Sequence, residues 1–182
     1  MFALGLSVTL GAVATPQLLT TLDDVRAAGA VRYLTTKLQR ARMEAVLRST
    51  DVGLQFVATG SAYTVTAYRD GNDNGIRTRD IQRGVDPPIG SLERLPDLFP
   101  GVDFGARPGL PPVDPGGTPP GTDPIRLGSG NILTFTSIGT ASSGSLYVRG
   151  RRNSQYVIRI IGETGKTRVL KFDALLQEWK PS

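Results

Sequence analysis

The hydrophobic pattern changes character once, early in the chain. Residues 1–22 read MFALGLSVTLGAVATPQLLTTL and carry no charge; Asp23 and Asp24 are the first ionisable side chains. An uncharged run of this length matches a hydrocarbon core of about 30 Å when helical. From Asp23 to Arg48 there is no proline, and only Gly29 interrupts a helix-forming composition. Val31, Leu34, Leu38, Ala41 and Ala45 recur at spacings of three and four, which puts an apolar stripe on one helix face. Arg26, Arg32, Lys37, Arg40, Arg42 and Arg48 take the other faces, and Glu44 stands four residues before Arg48. The pattern predicts one helix of about 48 residues, on the order of 70 Å long, ending near Ser49-Thr50-Asp51.

After residue 51 the period changes to that of strands. Extended runs are predicted at 52–58 and 63–68, joined by Thr59-Gly60-Ser61 as a hairpin. Further strands are predicted at 131–137, 145–149, 155–161 and 167–172, the last two flanking the turn Gly162-Glu163-Thr164-Gly165. No long helical pattern falls between them, so the sheet should be mainly antiparallel. Residues 107–124 hold seven of the 13 prolines and cannot carry a backbone ladder. They read as an exposed, polyproline-like insertion: a docking segment or a tolerated surface loop. The expected division is an apolar membrane or assembly half of the helix (1–22), an amphipathic half (23–50) and a β domain (51–182).

Composition removes whole classes of chemistry. The chain has 182 residues with no Cys and no His. Disulfides, the usual zinc ligand sets, the Ser-His-Asp triad and the Cys-His dyad are all excluded. The acids Asp103, Asp114 and Asp123 lie in Pro/Gly loops without a partner base, and Gly162–Thr167 is too short for a phosphate-binding loop. No catalytic residue, enzyme activity or small-molecule substrate is expected. Trp179 reads as a packing residue.

The uncharged N-terminus admits three readings. A cleaved signal peptide would exit at Ala12-Val13-Ala14, but no basic segment precedes the run. A buried core helix rarely opens a chain without polar interruption. A retained membrane or assembly helix tolerates the kink that Pro16 imposes, and the amphipathic continuation favours it.

An apolar helix with one internal proline, continuing into Leu38-Gln39-Arg40-Ala41-Arg42-Met43-Glu44-Ala45-Val46, resembles the type IV pilin and pseudopilin class. Within that class the chain is most similar to the minor pseudopilin family GspH/FimT. Phe135-Thr136-Ser137-Ile138-Gly139 and Gly144-Ser145-Leu146-Tyr147 are similar to its closing strands. The resemblance implies a pilin-like α+β fold, with a long N-terminal helix packed on a mainly antiparallel, two-sheet β domain. It implies a structural subunit of a type II secretion pseudopilus or a type IV pilus, near the tip. The partners would be other minor and major pilins or pseudopilins and the bacterial inner membrane, which the chain would cross once with its β domain in the periplasm. The membrane and assembly residues would be Phe2, Leu4, Leu6, Val8, Leu10, Val13, Pro16, Leu18 and Leu19. The family's basic leader, cleavage-site Gly and glutamate do not precede Met1-Phe2-Ala3-Leu4, so a truncated N-terminus is expected.

Two further constellations carry candidate chemistry. Asp70, Asn72 and Asn74, Gly75, the carbonyl of Ile76 and then Asp80 stand at alternating oxygen positions in a tight turn. The spacing fits a calcium loop, though Asp80 falls one place short of the closing acid and Arg77 and Arg79 oppose a cation. An Asx- and Gly-stabilised turn fits as well, and no other cofactor is expected. Residues 144–172 hold seven cations, Arg149, Arg151, Arg152, Arg159, Lys166, Arg168 and Lys171, against Glu163 alone. Gly165-Lys166-Thr167-Arg168 is similar to the basic element of FimT proteins that bind DNA, which makes a DNA-binding minor pilin the alternative function. Cations there would neutralise phosphates without reading bases. A solvated face, or a patch for anionic lipid or an acidic neighbour, fits the same residues.

Overall fold

The computed structural model describes the backbone of residues 2–182 and the side chains of residues 19–182, Ser129 aside. In chain order the elements are α1 (Phe2–Arg48), β1 (Val52–Thr59), β2 (Ala62–Arg69), α2 (Thr78–Arg83), β3 (Glu93–Arg94), α3 (Leu95–Leu98) and β4 (Asp103–Phe104). There follow β5 (Ile125–Arg126), a 3-10 turn at Ser129–Asn131, β6 (Ile132–Phe135), β7 (Gly144–Arg149), β8 (Gln155–Ile161), β9 (Lys166–Asp173) and β10 (Glu178–Pro181). Among the described residues the strands form two sheets. One has the order β3-β2-β1-β6; the other runs β10-β9-β8-β7-β4, with β5 also on β7. Every pairing between these strands is antiparallel. The architecture is α+β, a long helix on two antiparallel sheets.

The predicted stripe is the reason α1 sits where it does. Val31, Leu34, Leu38, Ala41 and Ala45 are all buried, joined by Ala27 and Ala30. They pack against Val52, Leu54, Phe56 and Phe135 of the first sheet and Leu146, Val148, Ile158 and Ile160 of the second. The helix therefore closes the gap between the sheets, and Phe56 meets Phe104 edge-on at 5.4 Å across it. Gly29 is explained by Phe99: a Cβ at Gly29 would stand 3.2 Å from the ring. Close approach of that aromatic offsets the roughly 1 kcal/mol that glycine costs in a helix interior. Ser49, at φ +51°, takes the left-handed position that ends the helix.

A smaller apolar layer covers the opposite face of the second sheet. Tyr147, Val157 and Leu170 point outward there and pack with Ala106, Leu110, Phe172 and Trp179. Trp179 meets the Phe172 and Tyr147 rings at tilted angles, with centres 5.2 and 6.0 Å away, and its indole N–H donates to the Pro111 carbonyl at 3.0 Å. The proline-rich segment is thus a cover in its first half. Leu110 is buried, Arg159 pairs with Asp114 at 2.8 Å, and residues 115–119 remain exposed. Gln155, fully buried, ties the start of the segment down: its amide donates to Gly105 and its carbonyl accepts from the Arg107 N–H.

All six predicted strands form, with ends shifted by at most two residues. The sequence reading missed β3, β4 and β5, each two residues long, and β10. A two-residue strand has no period to detect, and β10 is a polar edge strand.

Candidate functional site

Of the predicted assembly residues, Phe2, Leu4, Leu6, Val8, Leu10, Val13, Pro16 and Leu18 lie outside the described side chains. Leu19 is described and is 46% exposed. Among the described residues no helix is long and apolar enough to cross a membrane. The described part of α1 shows instead how the helix is fastened to the domain.

The fastening starts at Asp23, which is buried. One carboxylate oxygen accepts the Arg151 N–H at 2.7 Å; the other accepts the N–H groups of Arg152 at 3.0 Å, Asn153 at 3.2 Å and Ser154 at 3.4 Å, and the Ser154 hydroxyl at 3.1 Å. Successive backbone N–H groups in the β7–β8 turn thus make an anion-binding nest. Burial works to raise this carboxyl, and the hydrogen bonds from Arg152, Ser154 and Arg151 outweigh it, holding the group below the ordinary carboxylate range. Gly150 makes the approach possible, because a Cβ there would stand 2.6 Å from the Asp23 carboxylate. Asp24 lies 2.6 Å from the Ser154 hydroxyl, whose one proton it shares with Asp23, and pairs with Lys171 at 3.3 Å. The sequence reading did not single out Asp23 as a contact; its signal was its place as the first charge after the uncharged run.

The predicted anion-binding residues divide between the two ends of this helix segment. Arg149, Arg151 and Arg152 lie beside the Asp23 nest, with Arg107 from the proline-rich segment, around a cavity of about 440 Å³. Lys171 belongs to the same end, paired with Asp24 and 5.7 Å from the centre of the Tyr156 ring. Lys166 lies at the far end, in a groove of about 590 Å³ with Arg42, Met43, Val46 and Leu47. Arg168 is exposed on β9, opposite Arg159 of β8. Asp23 and Met43 are about 30 Å apart along α1 at 1.5 Å per residue. The far end is apolar: Met43, Val46, Leu47 and Ile138 are 60%, 46%, 76% and 83% exposed.

The Asp70–Asp80 loop is closed by its own donors. Asp70 accepts the Asn72 N–H at 3.0 Å and the Gly75 N–H at 2.6 Å, and Asp80 accepts from the Asn74 side-chain amide at 3.3 Å. Asp86, which the sequence reading did not include, is fully buried and accepts the N–H groups of Gly71 and Arg77 at 3.2 Å each. Ile76 turns its side chain into the protein, where a Cβ on Gly53 would meet it at 2.9 Å. The Asn74 side-chain oxygen is buried without a hydrogen-bond partner. Among the described residues no group of three or more Asp or Glu side chains is gathered so that it could hold a metal ion. Asp51 nearby is pushed up by burial, then by the charges of Asp70 and Asp73, against the bond from the Ser137 N–H. Of the acids expected in loops, Asp103 lies instead in β4, paired with β7, while Asp123 is in a loop; both accept backbone N–H groups, from Phe104 and Ile125.

A family model described as Type II transport protein GspH matches residues 30–165. Among solved structures, the chain is similar to that of the minor pseudopilin EpsH from the type 2 secretion system of Vibrio cholerae. The identity is 15%, the match covers 79% of this chain and 94% of that one, and the TM-score is 0.47. No curated protein matches the chain.

Proposed function

The chain belongs to the type II transport protein GspH family, and from that premise we propose that it is a minor subunit placed near the tip of a type II secretion pseudopilus. The observation that supports this most directly is where α1 meets the domain. Among the described residues, Asp23 is the first helix side chain to be buried, while Leu19 and Leu22 before it are 46% and 48% exposed. The uncharged segment upstream is then left to serve as the inner-membrane anchor. In the fibre its apolar surface would be covered by neighbouring subunit helices, through van der Waals packing. The β domain would sit in the periplasm and contact other minor subunits. The role is structural, and none of the loop acids described above is given a catalytic part.

Site-specific photo-crosslinking from Leu22 and Val25, in cells that make the other pseudopilins, tests the reading. The expected result is a membrane-fraction protein crosslinked to another pseudopilin. Extraction by alkali together with an absence of pseudopilin crosslinks would overturn it. The DNA-binding alternative has weaker support, because Lys166 lies in the groove with Met43 and Leu47, away from the cavity that gathers the arginines beside Asp23.

A further inference from the structure

Four arginines without a carboxylate partner among the described residues gather at the end of the domain where α1 enters it. Arg107, Arg149, Arg151 and Arg152 line the cavity of about 440 Å³, together with Pro96 and Gly101. Among the described residues none of the four lies within 4.0 Å of a carboxylate. Asp103 is the one acid in the lining among the described residues; burial pushes it up against the pull of the Phe104 and Tyr63 N–H groups and of Arg149 and Arg94. A cleft with four cations and a single part-buried acid is built for an anion. Arginine forks match phosphate oxygens two at a time.

The cleft is also fixed in place. The backbone of Arg151 and Arg152 donates to Asp23, and the Arg107 guanidinium donates to the Arg152 carbonyl, joining the two walls. Asp23 is in turn the first charge after the 22-residue uncharged run. The arginines are therefore tied to the level at which that run ends. We infer that this cleft binds the phosphate headgroup of an anionic phospholipid in the bilayer that holds α1, and so sets the domain against the membrane before assembly. The inference rests on the membrane reading proposed above. Phospholipid is favoured over nucleic acid because no aromatic side chain lines the cleft to stack a base. Of the other exposed cations in the basic run, Lys166 lies in the groove at the other end and Arg168, on β9, stands opposite Arg159.

The test uses the full chain in vesicles. Because there is no native Cys, Asn153→Cys on the exposed turn takes a single fluorophore. Vesicles of phosphatidylcholine, alone or mixed with phosphatidylglycerol, carry a headgroup quencher. The expected result is flotation with both vesicles and about twofold or more stronger quenching with phosphatidylglycerol, a difference lost in high salt. R149Q/R151Q/R152Q should abolish the difference with its melting temperature kept, whereas K166Q/R168Q should retain it. Flotation with both vesicles and equal quenching would overturn the headgroup site and leave the anchor standing. Flotation only with phosphatidylglycerol, lost in the triple variant, would overturn the anchor and support the site. No flotation with either would overturn both. Equal loss in K166Q/R168Q would mean net charge rather than a cleft, and loss of the phosphatidylglycerol difference to a short DNA duplex would make nucleic acid the partner; either overturns the inference.

Discussion

The two ends of the described segment of α1 are docked by opposite means. At Asp23 a buried carboxylate takes five hydrogen bonds from one turn, four of them from backbone N–H groups. At Arg42–Leu47 the polar tie among the described residues is the Arg42 Nε donating to the Gly139 carbonyl at 2.9 Å, and Met43, Val46 and Leu47 are exposed. Between the ends the same apolar stripe does the packing. The first end is fastened by polar contacts. The second leaves Met43, Val46, Leu47 and Ile138 exposed.

The sharpest way to break this contrast is at the nest. Asp23→Ala strands four backbone N–H groups and should cost about 3 kcal/mol in urea unfolding; a loss no larger than that of Arg42→Ala would dissolve the difference between the ends. Gly150→Ala drives a methyl into the carboxylate and should cost about 2 kcal/mol by the same measurement. The pH response gives a third handle. Asp23 is depressed in the fold, so its contribution is present above the unfolded value of about 3.9 and is lost as pH falls through the lowered folded value. The stability gap between the wild type and Asp23→Asn should therefore narrow below about pH 4. Asp51 and Asp103 are raised and act in the opposite sense, but they occur in both proteins and cancel in the gap. At the other end, Arg42→Ala should cost about 1 kcal/mol. The smallest effect is expected from Met43→Ser with Leu47→Ser, within about 0.5 kcal/mol. The same pair should nevertheless weaken crosslinking to another pseudopilin from a probe at Ile138; unchanged crosslinking would make that surface idle.

The legibility of the molecule follows the length of its patterns. The stripe from Val31 to Ala45 and the long strands β1, β2, β8 and β9 have a period that survives in one dimension, and all of them form. The proline-rich segment read as an exposed insertion, yet Leu110 is buried and Pro111 receives the Trp179 N–H. Nothing local could say so, because its partner lies 68 residues away. The basic run was legible as composition but not as a surface. Lys166 and Lys171 are five residues apart on one strand and still face different ends of α1.

By itself, the sequence determined the long helix with its change from uncharged to amphipathic, the antiparallel β domain, and the exclusion of Cys- and His-dependent chemistry. Helical and strand periods are local properties, and an absent residue type is absent in any fold. The tertiary structure decided that Asp23 enters the β7–β8 turn, that four arginines share one cleft, and that the proline-rich segment covers a sheet. Those are contacts between residues as many as 131 positions apart, and only the packing of α1 against two sheets brings them within hydrogen-bonding distance.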